Sequence, residues 1–522
     1  MSSTLAERDL SPPRRLGRGL SSLLLLALPF VASGCTVFGD YNEATREARE
    51  AFMAGQFDQA VAKYSEGLEV INDSLLYRLE AGMSAHVGQD YPRSFDLLDL
   101  AYRRVVEYQD RALLDAANVT QQIGRILVNE KTAPYEGEVF EQILLQAYQA
   151  KNVFLKGDRE SVITEALRCM DLQDKARRIY EAELATTEAE AKEQTASGKG
   201  FDAKEVDAEM RKAYSYPDQG DLKRAEAVYD MRYVRYLIAF LRDAVATREA
   251  DYNSALIDMK FVADEFKTVP FVQRELARLT QLSGDREGAK TIRQEAGLTP
   301  LPDDTGSVAL FFQAGTAPSK REFKMIFPTF SGAAAFAMPI YEPTRNPVQN
   351  AILEIGTERS EALCLTDLQE VAFRYHRDRL PLMITRQIIR LVVKIGLQEG
   401  GRAVIANTGN GIGSQAGALA WTAGASVWNV VSEQADLRCW RTLPRILSAT
   451  RIYLPAGDYP ARLILLNERG AQVGVHELGV IRVAARKHRM INARSLGTTV
   501  YSDLGRESYD DTLPSAAPAP PK

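Results

Sequence analysis

The sequence predicts a mainly α fold: an N-terminal stack of helical hairpins followed by a smaller α+β domain. Three observations carry that prediction. The chain resembles itself at an offset of 34 residues, with small and large apolar residues recurring in step. Helical periodicity stops at Thr299-Pro300-Leu301-Pro302-Asp303-Asp304-Thr305-Gly306, and short apolar runs bounded by Gly and Pro follow it. The 522 residues are 45% hydrophobic and 25% charged, an ordinary globular composition with length for two to four domains. A net charge of −5 and a pI near 5.7 argue against a protein that coats nucleic acid. Four cysteines and four histidines are scattered without zinc-ligand spacing, so neither metal nor cofactor is expected.

The first 34 residues read as a lipoprotein signal peptide. Arg14, Arg15 and Arg18 precede an apolar run from Leu20 to Val31, which is shorter than the roughly 20 residues a membrane span needs. Ala32-Ser33-Gly34-Cys35 resembles the bacterial lipobox, although Ala32 stands where Leu is usual. That resemblance makes Cys35 the lipidated new N-terminus, the alternative being an uncleaved anchor or a chance cysteine. Thr36, rather than an aspartate, follows it, which favours a lipid-anchored, periplasm-facing position in the outer membrane. Helical periodicity begins near Asp40, so an extended linker of about five residues reaches under ~20 Å and keeps the fold close to the bilayer.

Residues 35–299 are expected to form the repeat domain. At the offset of 34, Ala48 aligns with Gly82, Ala51 with Ala85, Phe57 with Tyr91, Ala60 with Ser94, Tyr64 with Leu98 and Gly67 with Ala101. Gly55-Gln56-Phe57 and Gln89-Asp90-Tyr91 fall in the turns. Asp251 aligns in the same way with Asp285, Ala255 with Ala289 and Val262 with Ala296, and a further turn is expected at Gly157-Asp158-Arg159. The pattern resembles the tetratricopeptide repeat, whose stacked hairpins offer a concave surface to a peptide or helix of a partner. Ala182 to Arg211, rich in Ala, Glu and Lys, reads as an exposed helical pair with a solvated face.

After a linker at 300–306, residues 307–500 are expected to form the α+β domain, and 501–522, rich in Pro and Ala, a disordered tail. Strands are predicted at 307–313, 323–327, 335–341, 351–355, 451–454, 462–466 and 473–483. Thr366-Asp367-Leu368-Gln369 has the form of a capping box opening a helix. Beyond Pro381, Arg386, Arg390 and Lys394 recur at four-residue steps on one helical face. They form either a cationic strip for an acidic partner or, as we prefer, a solvated or internally paired face. Residues 403–432 carry no charge, and Gly411-Ile412-Gly413-Ser414-Gln415-Ala416 fits GxGxxA. The stretch lacks the strand and βαβ context a dinucleotide site requires, so close helix packing at Gly409, Gly413 and Gly417 is the better reading.

No catalytic constellation emerges. His86, His376, His476 and His488 lie in unrelated settings, and no nucleophile motif surrounds Cys169, Cys364 or Cys439. Cys364 and Cys439 form a disulfide on one reading and buried free thiols on the other. Asp436 and Arg438 are a candidate structural pair that locks a turn before Trp440.

Three stretches together resemble a family of uncharacterised bacterial lipoproteins with tetratricopeptide-like repeats and a C-terminal α+β domain. They are Tyr135-Glu136-Gly137-Glu138 leading into Gly157-Asp158, Tyr233 to Leu241 leading into Asp251 to Asp258, and Arg379-Leu380-Pro381 with Ala435 to Pro444. The resemblance implies a link to cell-wall or outer-membrane assembly, and the absent catalytic constellation favours a protein that is not an enzyme. The function expected is a protein-interaction scaffold of the cell envelope, held to the bilayer by acyl chains and docking envelope proteins on its repeat surface. An envelope hydrolase with a site around Asp436, Arg438 and Arg386 is the alternative, and a component of an outer-membrane export machine is a third reading.

Overall fold

The computed structural model describes residues 41–115, 133–197, 227–329, 332–380, 383–384, 387 and 433–505. The chain divides into two compact units, Met1–Arg46 and Glu47–Lys522. The first contributes the short helix α1 (Tyr41–Ala44), which starts where the periodicity predicts. Everything below concerns the second unit.

Its helices follow one another as hairpins. They are α2 (Arg46–Met53) with α3 (Phe57–Ser65), α4 (Ser74–Val87) with α5 (Tyr91–Asp115), and α6 (Val139–Leu155) with α7 (Arg159–Ser197). Then come α8 (Arg232–Val245) with α9 (Glu249–Glu265), and α10 (Pro270–Leu282) with α11 (Arg286–Glu295). Successive helices from α3 to α11 pack on one another, as expected of stacked hairpins that cannot each bury their own apolar face. Helix α7 continues without a break through the start of the expected exposed pair, to Ser197.

The turns explain the 34-residue rhythm. Gly55, Gln89 and Gly157 all have positive φ (77°, 66° and 86°) and lie at multiples of 34 from one another. At Gly157 the amide donates to Phe154 O and the next amide, Asp158 N, to Val153 O. The same pair of bonds recurs at Gly55 and Gln56, at Gln89 and Asp90, and at Gly284 and Asp285. This double bond closes the orphan carbonyls of a helix end and wants a residue tolerant of the left-handed region. The aspartate after it caps the next helix: Asp90 Oδ1 accepts from Arg93 N, Asp158 Oδ1 from Ser161 N and Asp285 Oδ1 from Gly288 N. Small residues sit where the hairpin is tightest. A Cβ on Gly82 would lie 2.5 Å from Leu98 Cδ2.

The strands are β1 (Thr305–Ala314), β2 (Ser319–Thr329), β3 (Gly332–Glu342), β4 (Asn350–Ile355), β5 (Glu358–Glu361) and β6 (Leu363–Asp367). They continue as β7 (Ile446–Pro455), β8 (Gly457–Leu466), β9 (Gln472–Val483), β10 (His488–Leu496) and β11 (Thr499–Asp503). One sheet has the order β11-β10-β1-β7-β6, with β1 and β10 parallel and the other pairs antiparallel. A second, antiparallel sheet has the order β5-β4-β8-β9. Val308, Leu310 and Phe312 of β1 pack with Leu353, Ile355, Leu463 and Ile491 in one core between the two sheets. The alternate residues Ser307, Phe311 and Gln313 meet the helices, so β1 is buried on both faces. The result is three layers: helices, first sheet, second sheet. The β2–β3 hairpin packs Phe323, Phe336, Met338 and Ile340 against Leu380 and Ile384, beyond the helix over 368–380.

The mainly α expectation is therefore corrected. Of the described residues about 49% are helical and 25% in strands, with a large sheet-rich C-terminal part. Apolar runs underestimate these strands because polar residues are buried within them: Arg451 in β7 and Asn492 and Arg494 in β10 toward the helices, and Ser448 and Thr450 of β7 toward the second sheet. The sheet also claims the start of the expected tail, since Tyr501–Asp503 pair in β11. The capping box does not form. Thr366 Oγ1 accepts from Tyr233 N, Gln369 Oε1 accepts from Thr344 N, and Asp367 Oδ1 accepts the Gln369 amide instead.

Gly82→Val should cost about 1–3 kcal/mol through overpacking against Leu98, read as a lowered denaturation midpoint with an unchanged slope.

Candidate functional site

Helices α4, α6, α8 and α10, one from each of four hairpins, turn toward the first sheet. A helix that is apolar nearly all round is a buried helix, and α4 and α6 fit that pattern, while α8 is amphipathic yet buried over most of its length. What the periodicity hides is a row of buried polar groups on these helices, each matched to a group on the strands.

At one end lies an ion cluster. Arg451 of β7 donates through Nη2 to Asp243 of α8 at 3.0 Å, through Nε to Ser307 of β1 at 2.8 Å, and through Nη1 to Glu275 of α10. Arg278 reaches Asp243, Tyr236 donates to Glu275 at 3.1 Å, and His488 Nδ1 lies 2.7 Å from Arg451 Nη2. Arg451, Asp243 and Glu275 have side chains shielded completely from solvent. Against the cost of burial, Arg278, His488 and Arg451 hold the Asp243 carboxyl far below its ordinary range. Aromatic contacts continue the seam, with Tyr233, Tyr236 and Phe240 packed around Phe311.

At the other end a strap, residues 433–445, crosses the helices with little structure of its own. Its amides are held by helix carboxylates. Glu80 accepts from Arg441 N at 2.8 Å and Thr442 N at 3.0 Å, and Glu141 accepts from Trp440 N at 2.8 Å. Trp440 is fully buried. Burial, then the Glu138 charge, pushes the Glu141 carboxyl up to about 7. Glu138 is itself paired with Lys320 and Arg379.

Asp436 and Arg438 come together here. The guanidinium grips Asp436 through both oxygens, at 2.9 and 2.7 Å, and also binds Asp73, Asn72 O and Ala133 O. The pair ties the strap to the loop before α4 and to the segment before α6. Cys35, Arg386, Arg390, Lys394 and the uncharged stretch 403–432 lie outside the described residues. Of the two readings of the cysteines the disulfide is not met, and of Cys364 and Cys439 only Cys439 is buried. Cys439 faces Pro318 O in the strap, and burial pushes it, like Cys169, up to about 12. Burial lowers His86 to about 3 and His376 to about 4, and both rings are hydrogen-bonded. Among the described residues no three His, Cys, Asp or Glu gather as metal ligands.

No family model matches the chain, and no curated protein matches it. The geometry therefore has to speak for itself. The inner face of the stack, where tetratricopeptide-like repeats would receive a peptide, is covered by the protein's own strands and strap. Exposed apolar side chains on the outer helices are Leu100 on α5, Ile163 and Leu167 on α7, and Ile257 (64% exposed) and Phe261 on α9; others lie away from them, as at Ile71, Ile326 and Val480. The pairs on α7 and α9 are each four residues apart, so each shares a helical face. Sequence reasoning missed Glu80, Glu141, Asp243 and Glu275, although a carboxylate inside an apolar helical run was the available signal.

Arg451→Met should destabilise by about 3–5 kcal/mol, because it strands two buried carboxylates. A double-mutant cycle with Glu275→Gln, measured by chemical denaturation, should be strongly non-additive. The folded state holds the Glu141 proton above the ordinary 4.5, so its contribution is lost as pH rises through about 7. The stability advantage of wild type over Glu141→Gln should be larger at about pH 5 than at about pH 8.

Proposed function

We propose that the protein is a lipid-anchored scaffold of the bacterial envelope that recruits other envelope proteins and performs no reaction of its own. The observation that carries this reading is the division of the helical stack, with an inner face sealed by the sheet and outer helices presenting apolar pairs to solvent. Partners would dock on those outer helices rather than in the concave groove. Support for the anchor comes from the sequence: the short apolar run, the Ala-Ser-Gly-Cys segment and Thr36 favour acylation of Cys35 and an outer-membrane, periplasm-facing position. Among the described residues no helix is long and apolar enough to cross a membrane. A link to cell-wall or outer-membrane assembly, and membership of the tetratricopeptide-like lipoproteins, belong to the same proposal. Weighing against the hydrolase alternative, Asp436 and Arg438 are engaged in holding the strap.

Photo-crosslinkers placed at Leu167 and Ile257 in living cells should capture one shared protein, and a crosslinker at Val480 on the second sheet should not. Ile257→Asp should abolish both adducts. No adduct at either position would refute docking on the outer helices. Cys35→Ser should move the protein from membranes to the soluble fraction, and a wild type already soluble and unacylated would refute the anchor.

A further inference from the structure

Among the described residues, the strongly buried cations along the helix–sheet seam have carboxylates, with two exceptions. Arg451 has Asp243 and Glu275, Arg242 has Asp258, Lys320 has Glu138, and Arg438 has Asp73 and Asp436. Lys151 on α6 and Arg494 on β10 make no ion pair among the described residues, yet both are buried.

Their surroundings are well defined. Lys151 Nζ donates to Tyr233 OH at 3.2 Å and lies 5.9 Å from the Tyr148 and Tyr233 ring centres and 5.4 Å from that of Phe311. Arg494 stands beside Gln313 in the parallel β1–β10 register and donates through Nη2 to Thr442 O of the strap at 2.9 Å. Its Nε and Nη1 have no hydrogen-bond partner among the described residues. Gln313 is already taken, accepting from Tyr148 OH and donating to Asn492. Arg494 acts electrostatically on Lys151 and on the same two tyrosines.

We propose that Lys151 and Arg494 form an enclosed site for one small oxyanion, of carboxylate or phosphate size, between the third hairpin and the first sheet. An isolated buried charge is costly, and a pair of like charges more so. A lysine can escape by losing its proton, and burial together with Arg494 does push Lys151 far below the usual range. A guanidinium has no such escape. Its free N–H groups form the planar fork that fits an oxyanion, and the remaining Lys151 protons and the Tyr233 hydroxyl supply further donors. A single water satisfies hydrogen bonds but leaves the charge unbalanced; an oxyanion does both. Enclosure makes the ion a part of the folded protein, taken up as the strands close over the helices.

The test refolds the full chain from urea in oxyanion-free zwitterionic buffer, alone or with inorganic phosphate, sulfate or acetate. At least one of the three should raise the melting midpoint by a few degrees, and native mass spectrometry should find one such ion per chain. The Lys151→Met/Arg494→Met variant should show neither the rise nor the adduct. Identical wild-type midpoints in all four buffers with no retained ion would overturn the site, as would an equal rise in the double variant. If that variant does not refold, Lys151→Met alone takes its place. A phosphate, sulfate or acetate response in it as large as in wild type would equally refute the site.

Discussion

The architecture depends on Arg451. Its guanidinium leaves the middle of β7, crosses from the sheet to the helices and satisfies carboxylates on two successive hairpins, Asp243 on α8 and Glu275 on α10. Three fully buried charges have meaning only when all are present and correctly placed. A sliding of the helix stack along the sheet would separate them. Apolar contacts such as those around Phe311 tolerate small displacements, whereas an ion cluster without water does not. The interaction thus fixes the register between two layers whose apolar surfaces alone would fit in several ways.

The strap applies the same device with neutral donors. Residues 433–445 have few backbone partners of their own, and the carboxylates of Glu80 and Glu141 supply them from α4 and α6. Carboxylates inside an apolar helix are expensive to bury, and here each is repaid in bonds to backbone amides rather than in catalysis. Burial likewise keeps Cys169 and Cys439 as thiols and His86 and His376 as neutral, hydrogen-bonded rings.

Much of the helical part was legible in the sequence because its determinants are local. Gly157-Asp158 and Gln89-Asp90 contain both the left-handed turn residue and the cap of the next helix, and their spacing announces the hairpins. Asp436 and Arg438 are two residues apart and were equally readable. The extent of the sheet was not, since Arg451, Asn492 and Arg494 look like strand ends until their partners are known. Those partners lie far away along the chain: Asp243 is 208 residues from Arg451, and Glu80 is 361 from Arg441. The choice between a Cys364–Cys439 disulfide and two thiols stayed open for a related reason. Nearness of two cysteines in one predicted domain says nothing of their facing, and Cys364 is exposed on β6 while Cys439 is sealed in the strap.

The first sheet places the earliest strand, β1, directly beside the nearly last one, β10, the facing Ser307 and His488 being 181 positions apart in the chain. A ribosome delivers the helices long before the strands that cover them. Until the final stretch emerges, the polar and aromatic groups of α4, α6, α8 and α10 face water or a chaperone. Non-local pairing of this kind is slow and leaves intermediates prone to aggregate. The first sheet is therefore completed only at the end of synthesis, and a premature stop before β10 would leave β1 with an open edge and Tyr148 and Tyr91 without their cover of β10 and β11.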